Sequence, residues 1–382
     1  MKVMIVVTHL LGTGHLARAL VLARAFSAAG DEVTIVSGGM SAPHLNSENI
    51  EFIQLPPLKS DGVNFSVLLD QTDRPANKVY LAARQTTLEH TLKNKQPDVL
   101  ITELYPFGRR SLKSEFHALL NAAHAQCPNR PLVCASIRDI LAPPSKPAKA
   151  EETASVLADF YDTVLVHSDE HLTPLEASWP VSDRVRNKLN YTGYVAAPPS
   201  APHPDGLGTG EILVSAGGGS VGDSLYKTAL LAAELDTSRI WRLLVGGSNA
   251  RQRCEELRGN APSNTIIEPA RPDFRSLLHH AAASVSMCGY NTALDVLQTG
   301  VPAVFVPFDA GGEVEQTLRA RALSRLSGIE MLPERELSAS RLHDAVVDTI
   351  ASPKRDASHF RFDGAIETVR FVRSRVKDRE MS

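Results

Sequence analysis

The chain is short of cysteine, of charge imbalance and of long apolar runs, and each shortage removes a class of protein. Its 382 residues hold four cysteines, Cys127, Cys134, Cys254 and Cys288, none of them in a Cys-x-x-Cys pair. A chain this large does not need disulfide staples, so a reducing, cytoplasmic setting fits. The formal net charge is -3, whereas a nucleic-acid partner calls for a basic excess. No stretch approaches the roughly 18 apolar residues that a membrane-spanning helix requires. The opening residues Met1-Lys2-Val3-Met4-Ile5-Val6-Val7 form a short apolar run with no small-residue cleavage site, and a glycine turn follows. They read as a buried first strand rather than a secretory signal.

Several catalytic signatures are missing too. There is no Asp-x-Asp, no His-Glu-x-x-His, no metal-type His/Cys spacing, no Gly-x-Ser-x-Gly elbow and no kinase motif. His279 and His280 are adjacent, and neighbours on a helix point in different directions. No metal-binding residues are expected, and no cofactor beyond a substrate nucleotide.

What is present is an ordinary globular composition, 43% hydrophobic and 22% charged, in a chain longer than one core usually serves. The pattern is strand, turn, helix, repeated. Val3 to Thr8, Glu32 to Ser37, Ile50 to Leu55, Asp98 to Thr102, Leu132 to Ser136 and Thr163 to His167 read as strands. Helices are expected over His15 to Ala29, Ala76 to Lys93 and Ser111 to Ala125. Continuous Val/Ile/Leu strands alternating with amphipathic helices indicate a parallel sheet covered on both faces. After the proline-rich segment Tyr194 to Pro204 the pattern restarts at Glu211. Further strands are expected at Trp241 to Val245, Thr265 to Ile267, Ser284 to Met287 and Ala303 to Val306.

The expected architecture is α/β, with two tandem Rossmann-like doubly wound domains facing each other across a cleft. The first spans residues 1–195 and the linker 196–208. The second spans 209–360, and a final helix over 361–382 is a candidate to pack back on the first. Ligands of such sheets bind outside the carboxyl ends of the strands, which directs attention to three turns. Gly12-Thr13-Gly14-His15 opens the first helix. Its glycines let the backbone approach a ligand, and a helix N-terminus keeps a histidine neutral enough to serve as a base. It is not the dinucleotide fingerprint, because the third glycine is missing and Ser37-Gly38-Gly39 stands where an acidic residue should end the second strand. The second turn, Gly217-Gly218-Gly219-Ser220, offers a run of backbone N–H groups for phosphate without the Gly-Lys-Ser/Thr of a P-loop. The third is Cys288-Gly289-Tyr290-Asn291-Thr292-Ala293-Leu294-Asp295, an anion-receiving helix start with a carboxylate one turn along for ribose hydroxyls. Glu315 and Gln316 open a later helix and are candidates for sugar hydroxyls.

In this order and spacing the motifs resemble the MurG-type branch of glycosyltransferase family 28, from about residue 3 to about residue 330. Tyr191-Thr192-Gly193-Tyr194-Val195 is similar to the family's interdomain segment, and Gly300-Val301-Pro302 and Val306-Pro307-Phe308 to parts of its donor signature. The resemblance implies a UDP-sugar donor in the C-terminal domain and an acceptor, small or lipid-linked, in the N-terminal one. It makes His15 the catalytic base and assigns Ser220 to the diphosphate, Asp295 to the ribose and Gln316 to the donor sugar, with Arg271, Asn291 and Thr292 in the same donor set. Gly12, Thr13, Gly14, Glu103, Arg138 and Asp139 form the expected acceptor side. The chain departs from the family where Ser136-Ile137-Arg138-Asp139 replaces a His-Glu-Gln-Asn stretch, and Asp295 replaces a glutamate. Gly12 to Arg18 also resembles a nucleotide-sugar hydrolase of pseudaminic acid synthesis, and a non-hydrolysing epimerase shares the expected architecture, so both stand as alternatives.

The long loop from Pro56 to Asn77 holds Leu58, Val63, Phe65, Val67, Leu68 and Leu69, with Lys59, Arg74, Lys78 and Arg84 nearby. It reads either as a short core helix over 65–69 or as a peripheral contact with the inner face of a membrane. The missing cation motifs generate a test: turnover of a UDP-sugar donor should survive excess EDTA. Loss on chelation with recovery in magnesium or manganese would contradict that expectation.

Overall fold

The computed structural model describes residues 1–43, 45–60, 67–217, 221–247, 249–309, 314–353 and 355–381. Strands β1 (Lys2–Val7), β2 (Glu32–Gly39), β3 (Glu51–Leu58), β4 (Val99–Glu103), β5 (Leu132–Arg138), β6 (Thr163–His167) and β7 (Leu189–Tyr191) form one sheet, in the order β3-β2-β1-β4-β5-β6-β7. Every neighbouring pair is parallel. Strands β8 (Ile212–Ser215), β9 (Trp241–Val245), β10 (Thr265–Pro269), β11 (Ala283–Ser286), β12 (Ala303–Phe305) and β13 (Ile329–Met331) form a second sheet, also parallel, in the order β10-β9-β8-β11-β12-β13. Both are doubly wound α/β sheets. In each, the strand order reverses beside the first strand, between β1 and β4 and between β8 and β11. That is the position where such sheets bind ligands.

Burial explains why the strands are near-continuous apolar runs. Met4, Val6, Leu100, Val133, Ala135 and Val166 pack into a core on one face of the first sheet, and Val3, Ile5, Ile101, Cys134 and Leu165 into a core on the other. With both faces covered, there is no room for alternating polar residues. The second sheet has its own core, around Val214, Tyr226, Trp241, Leu243, Val285 and Val304.

The chain divides into two compact units, Met1–Ala197 with Arg361–Ser382, and Pro198–Phe360. The segment after Pro198 is held to the second unit: Arg275 Nη2 donates to Pro198 O at 2.8 Å, Ser200 Oγ lies 3.1 Å from His279 Nε2, and Gly210 N donates to His280 O at 2.9 Å. The final helix, Gly364–Glu380, packs against Gly14–Ala28 and contributes Val369 and Val372 to the first unit's core. Its start runs so close to the Thr192-Gly193-Tyr194 turn that a Cβ on Gly364 would lie 2.3 Å from Gly193 O. Arg373 Nη2 donates to the buried Asp31 at 2.8 Å, fixing the helix to the turn before β2.

The structure differs from the sequence reading at four places. Pro147–Phe160 is a helix with proline at its first turn, and β7 and β13 are three-residue strands too short to show a period. β2 runs through Gly38 and Gly39, where a Cβ would meet Thr8 Oγ1 at 2.3 Å and His9 Nδ1 at 2.4 Å, so these glycines admit the first loop rather than end the strand. Residues 67–69 are not helical. Leu69 pairs with Lys59 in antiparallel fashion, and Leu68 is buried in the core. Val63 and Phe65 lie outside the described residues. Finally, Arg84 is no surface cation: its side chain is fully buried and pairs with Glu115 through Nε at 2.9 Å and Nη2 at 3.0 Å, while Nη1 donates to Gly38 O at 3.0 Å.

That pair ties the helix Lys78–Lys95 to the helix Lys113–His124 and to the end of β2. Glu115→Ala should cost about 3–5 kcal/mol in urea denaturation, because it leaves a guanidinium buried without its counter-charge. A loss below about 1 kcal/mol, the range of exposed pairs, would show that the site hydrates.

Candidate functional site

Strand alternation sets the site on the first sheet. Glu103 follows Ile101 by two positions and Ser136 follows Cys134 by two, so both point to the face covered by Gly14–Ala28. That helix begins at Gly14, and its first turns present His15 and Arg18 to the same place. His15 Nδ1 lies 3.0 Å from Glu103 Oε1, Arg18 Nη2 donates to the same oxygen, and Ser136 Oγ donates to Oε2 at 2.7 Å. Glu103 is 2% exposed. A buried carboxylate persists only with such partners. Arg18, His15 and Ser136 together hold it ionised, well below the usual carboxylate range despite burial.

The carboxylate fixes the histidine tautomer. Arg18 Nη2 also lies 3.2 Å from Nδ1, but the anionic oxygen is nearer and can only accept, so Nδ1 carries the hydrogen toward Glu103 and the lone pair is left on Nε2. Nε2 has no protein partner among the described residues, and the His15 side chain is 16% exposed. Burial pushes the imidazole pKa down to about 3 against the opposing bond to Glu103, and the Arg109 and Arg18 charges add to the lowering. His15 is therefore neutral across the physiological range. Arg109 is placed by an unusual loop: Leu104 and Arg109 both have left-handed φ, 70° and 60°, and Arg109 Nε donates to Thr8 O at 2.6 Å. In front of His15, a Cβ on Gly12 or Gly14 would meet nothing within 4 Å, so the turn is open to a ligand.

Other expected residues fall elsewhere. Glu103 is not an acceptor contact: its oxygens are engaged by the protein behind His15. Asp139 is 2% exposed and lies inside the unit, whereas Arg138 is half-buried at the end of β5. Thr13 is the N-cap residue of the first helix, and its carbonyl accepts from Ala17 N. The sequence reading did not single out Arg18, Arg109 or Ser136 as site residues. Arg18 sits one turn from His15, and the other two stand just past or at the end of a strand, which was the available signal.

In the second unit, the helix Tyr290–Thr299 follows β11 with Gly289 as its N-cap, and a Cβ there would meet nothing within 4 Å. Asn291 is exposed and Thr292 half-buried on its first turn. Asp295 is already paired: Arg275 Nε donates to Oδ1 at 2.7 Å while Arg275 Nη2 also donates to Gln298 Oε1 at 2.7 Å. Burial raises the Asp295 carboxyl to about 6 against that pairing. Arg271 makes two bonds to Asp273, at 2.8 and 2.7 Å. Gln316 Oε1 accepts from Phe308 N at 3.2 Å, and Glu315 starts the helix Glu315–Leu323. Gly217 has φ +79° with open space around it, and Gly218, Gly219 and Ser220 lie outside the described residues. The following helix begins at Asp223, an acidic residue of its first turn that pairs with Arg253. No group of three or more His, Cys, Asp or Glu side chains among the described residues is arranged to hold a metal ion.

Residues 213–365 match the model of the glycosyltransferase family 28 C-terminal domain. A UDP-N-acetylglucosamine--N-acetylmuramyl-(pentapeptide) pyrophosphoryl-undecaprenol N-acetylglucosamine transferase of Alkalilimnicola ehrlichii is 27% identical over 141 residues, 36% of this chain and 40% of that protein. The protein of the same name from Chelativorans is 29% identical over 92 residues, 24% of either chain. The matches thus span between a quarter and two fifths of these relatives' length. Among solved structures, a calicheamicin glycosyltransferase superposes with TM-score 0.64 at 17% identity, covering 100% of this chain and 98% of its own. MurG of Acinetobacter baumannii gives TM-score 0.64 at 15% identity, covering 98% and 100%. Two parallel α/β units of this kind define the GT-B fold class. Within that class, the likeness to glycosyltransferase family 28 is carried by residues 213–365, and the partial matches to the MurG-type transferases point the same way.

The depressed histidine gives a pH prediction. In the unfolded chain His15 takes a proton below about 6.5, but in the folded protein it stays neutral until about 3. Its contribution is present above pH 6.5 and lost as pH falls, by up to about 1.4 kcal/mol per pH unit. Urea midpoints should therefore fall between pH 6.5 and 4, and His15→Gln should flatten that slope. An identical slope in the variant would contradict a neutral buried His15.

Proposed function

We propose that the protein transfers a hexosyl group from a nucleoside-diphosphate sugar, a UDP-sugar, to an acceptor hydroxyl without a metal ion. The observation that carries this reading is the neutral His15, with its free Nε2 outward and Glu103 behind it. Nε2 takes the proton of the acceptor hydroxyl while the oxygen attacks the anomeric carbon. The carbon–oxygen bond to the diphosphate breaks with inversion, and UDP leaves with that electron pair. Glu103 stabilises the imidazolium as it forms. The acceptor falls to the first unit, beside Gly12, Thr13, Gly14 and Arg138.

The second unit holds the donor. The open turn at Gly217, whose own N–H is given to Ser215 Oγ, and the helix start at Gly289 receive the leaving diphosphate, a helix N-terminus favours its charge, and Asn291, Thr292, Glu315 and Gln316 serve the sugar and nucleotide. Asp295 reaches the ribose through the oxygen that Arg275 leaves open. The UDP donor is supported by the printed activity of the matched relatives, whose acceptor is a lipid-linked pyrophosphoryl-undecaprenol. We read the acceptor as a small molecule or a lipid-linked one at the cytoplasmic membrane face, and the likeness to these relatives supports the lipid-linked choice. No helix among the described residues is long and apolar enough to cross a membrane. Leu11 is 59% exposed on the first loop, and it is a candidate for peripheral contact there.

His15→Ala should lower turnover about 10²–10⁴-fold while calorimetric UDP affinity stays near wild type. If affinity falls and turnover per bound donor does not, His15 is a ligand contact. Asp295→Ala should weaken UDP by about 1–3 kcal/mol, and unchanged affinity would remove it from the donor site. UDP release that is equal with and without candidate acceptors would reassign the protein as a nucleotide-sugar hydrolase.

A further inference from the structure

The polar row behind His15 does not stop at Ser136. His167 is the last residue of β6, and it follows Leu165 by two positions, so it points to the same face as Glu103 and Ser136. Its Nε2 lies 3.0 Å from Ser136 Oγ, and its Nδ1 lies 2.9 Å from Thr192 Oγ1, just past β7. His167 and Ser136 are fully buried, and Thr192 is 1% exposed. The sheet order β4-β5-β6-β7 thus lays out Glu103, Ser136, His167 and Thr192 in sequence along the carboxyl ends of its strands. We propose that His167, acting through Ser136, is a positioning residue that holds the Glu103 carboxylate so that His15 keeps its proton on Nδ1. The proposal rests on the reading of His15 as the base, and it adds His167, which none of the site motifs includes.

Charge decides the direction of the row. Glu103 Oε2 is an anionic oxygen that can only accept, so at 2.7 Å the Ser136 hydroxyl must give it its single hydrogen. Ser136 Oγ then accepts from His167 Nε2–H, which leaves Nδ1 to accept the Thr192 hydroxyl. The opposite sense would set a lone pair of Ser136 against the carboxylate. Burial and the nearby Arg18 charge keep His167 neutral, its pKa pushed down to about 3, so it supplies one directed donor and no second positive charge.

The row also answers a geometric problem. Arg18 alone could draw both carboxylate oxygens into a two-pronged pair. With Oε2 tied to Ser136, the carboxylate cannot turn, and Oε1 stays within reach of His15. On this face the same two strands also carry Leu132, Cys134 and Leu165, which pack into the core. The polar residues enter at positions from which they can reach Glu103.

The test reads the proton on His15 directly and needs no substrate. Two-bond proton–nitrogen correlation spectra of the full chain, labelled at histidine nitrogen, report which ring nitrogen is protonated, and His15→Gln identifies the His15 signals by their loss. Wild type should show a single tautomer with the hydrogen on Nδ1. Ser136→Ala and His167→Phe should each convert His15 to a mixture of tautomers, while His167→Gln and Ser136→Thr, which keep a donor and a hydroxyl, should retain the wild-type pattern. Thermal melts of each variant separate a lost bond from a lost fold. If His167→Phe does not fold, Ser136→Ala, which removes one oxygen, carries the test. An unchanged His15 pattern in a folded Ser136→Ala protein would overturn the proposal, as would a mixture that appears equally in His167→Gln. Full turnover in His15→Ala would remove the catalytic reading of His15 but leave these spectra to decide the positioning claim.

Discussion

A carboxylate out of water must be surrounded before anything else can be settled, and in the first unit that carboxylate is Glu103. Arg18 and His15 come from the helix after β1, and Ser136 comes from β5. The partners therefore join the two sides of the point where the strand order reverses, β1 and β4, to the next strand outward. This places strict demands on local structure. The first helix must begin at Gly14 for residues 15 and 18 to face the sheet, and the glycine turn before it must stay clear of side chains. The loop after β4 must bend sharply enough, through two left-handed residues, to bring Arg109 against Thr8. The same charge makes His15 useful. A histidine buried this far loses its basicity, yet the carboxylate fixes which nitrogen remains available.

Under the proposed reading the second unit meets a different requirement, that of receiving negative charge without repelling it. Its charged side chains near the β8 and β11 ends are largely used by one another: Asp295 by Arg275, Arg271 by Asp273 and Asp223 by Arg253. What stays open is the space beside the backbone at Gly217 and Gly289, where a Cβ would meet nothing within 4 Å, although the Gly217 N–H itself is given to Ser215 Oγ at 3.1 Å. Amides of fixed direction lose little on binding an anion, because they need no reorganisation. Arg319, buried beneath the Cys288 carbonyl and against the Tyr290 ring, supports the start of that helix from behind.

Much of the architecture was legible because buried parallel strands announce themselves. Thr163–His167 and Trp241–Val245 have the bounds expected of them, and most others differ by a residue or two. The omissions have physical causes. β7 and β13 are three residues long, and such a run carries no periodicity. Gly38 and Gly39 read as punctuation because a close backbone approach and a turn both call for glycine. In the site, His15 was legible from its turn, but its link to Glu103 crosses 88 residues of sequence, and only the sheet order brings the two together. Glu103 therefore read as an acceptor-binding residue, and Arg84 as part of a basic surround, since burial of a charged residue leaves no local mark in a sequence. Ser136 and His167 were invisible for a related reason: a polar residue at the end of a strand is common, and its significance lies in the neighbouring strand.

The last feature is topological. The first unit is not a continuous stretch of chain, because its helix Gly364–Glu380 returns to it after the whole of the second unit. This helix covers Val3 and Leu16 and holds the buried Asp31 through Arg373. On a ribosome the chain emerges from its N-terminus, so β1 to β7 are all outside the exit tunnel long before the residues that complete their cover. During the time needed to make some 160 further residues, at about 5–20 residues per second, the nascent first unit has an apolar strip on the helix Gly14–Ala28 that nothing of its own can bury. Folding on the way out is thus possible for the second unit before it is complete for the first.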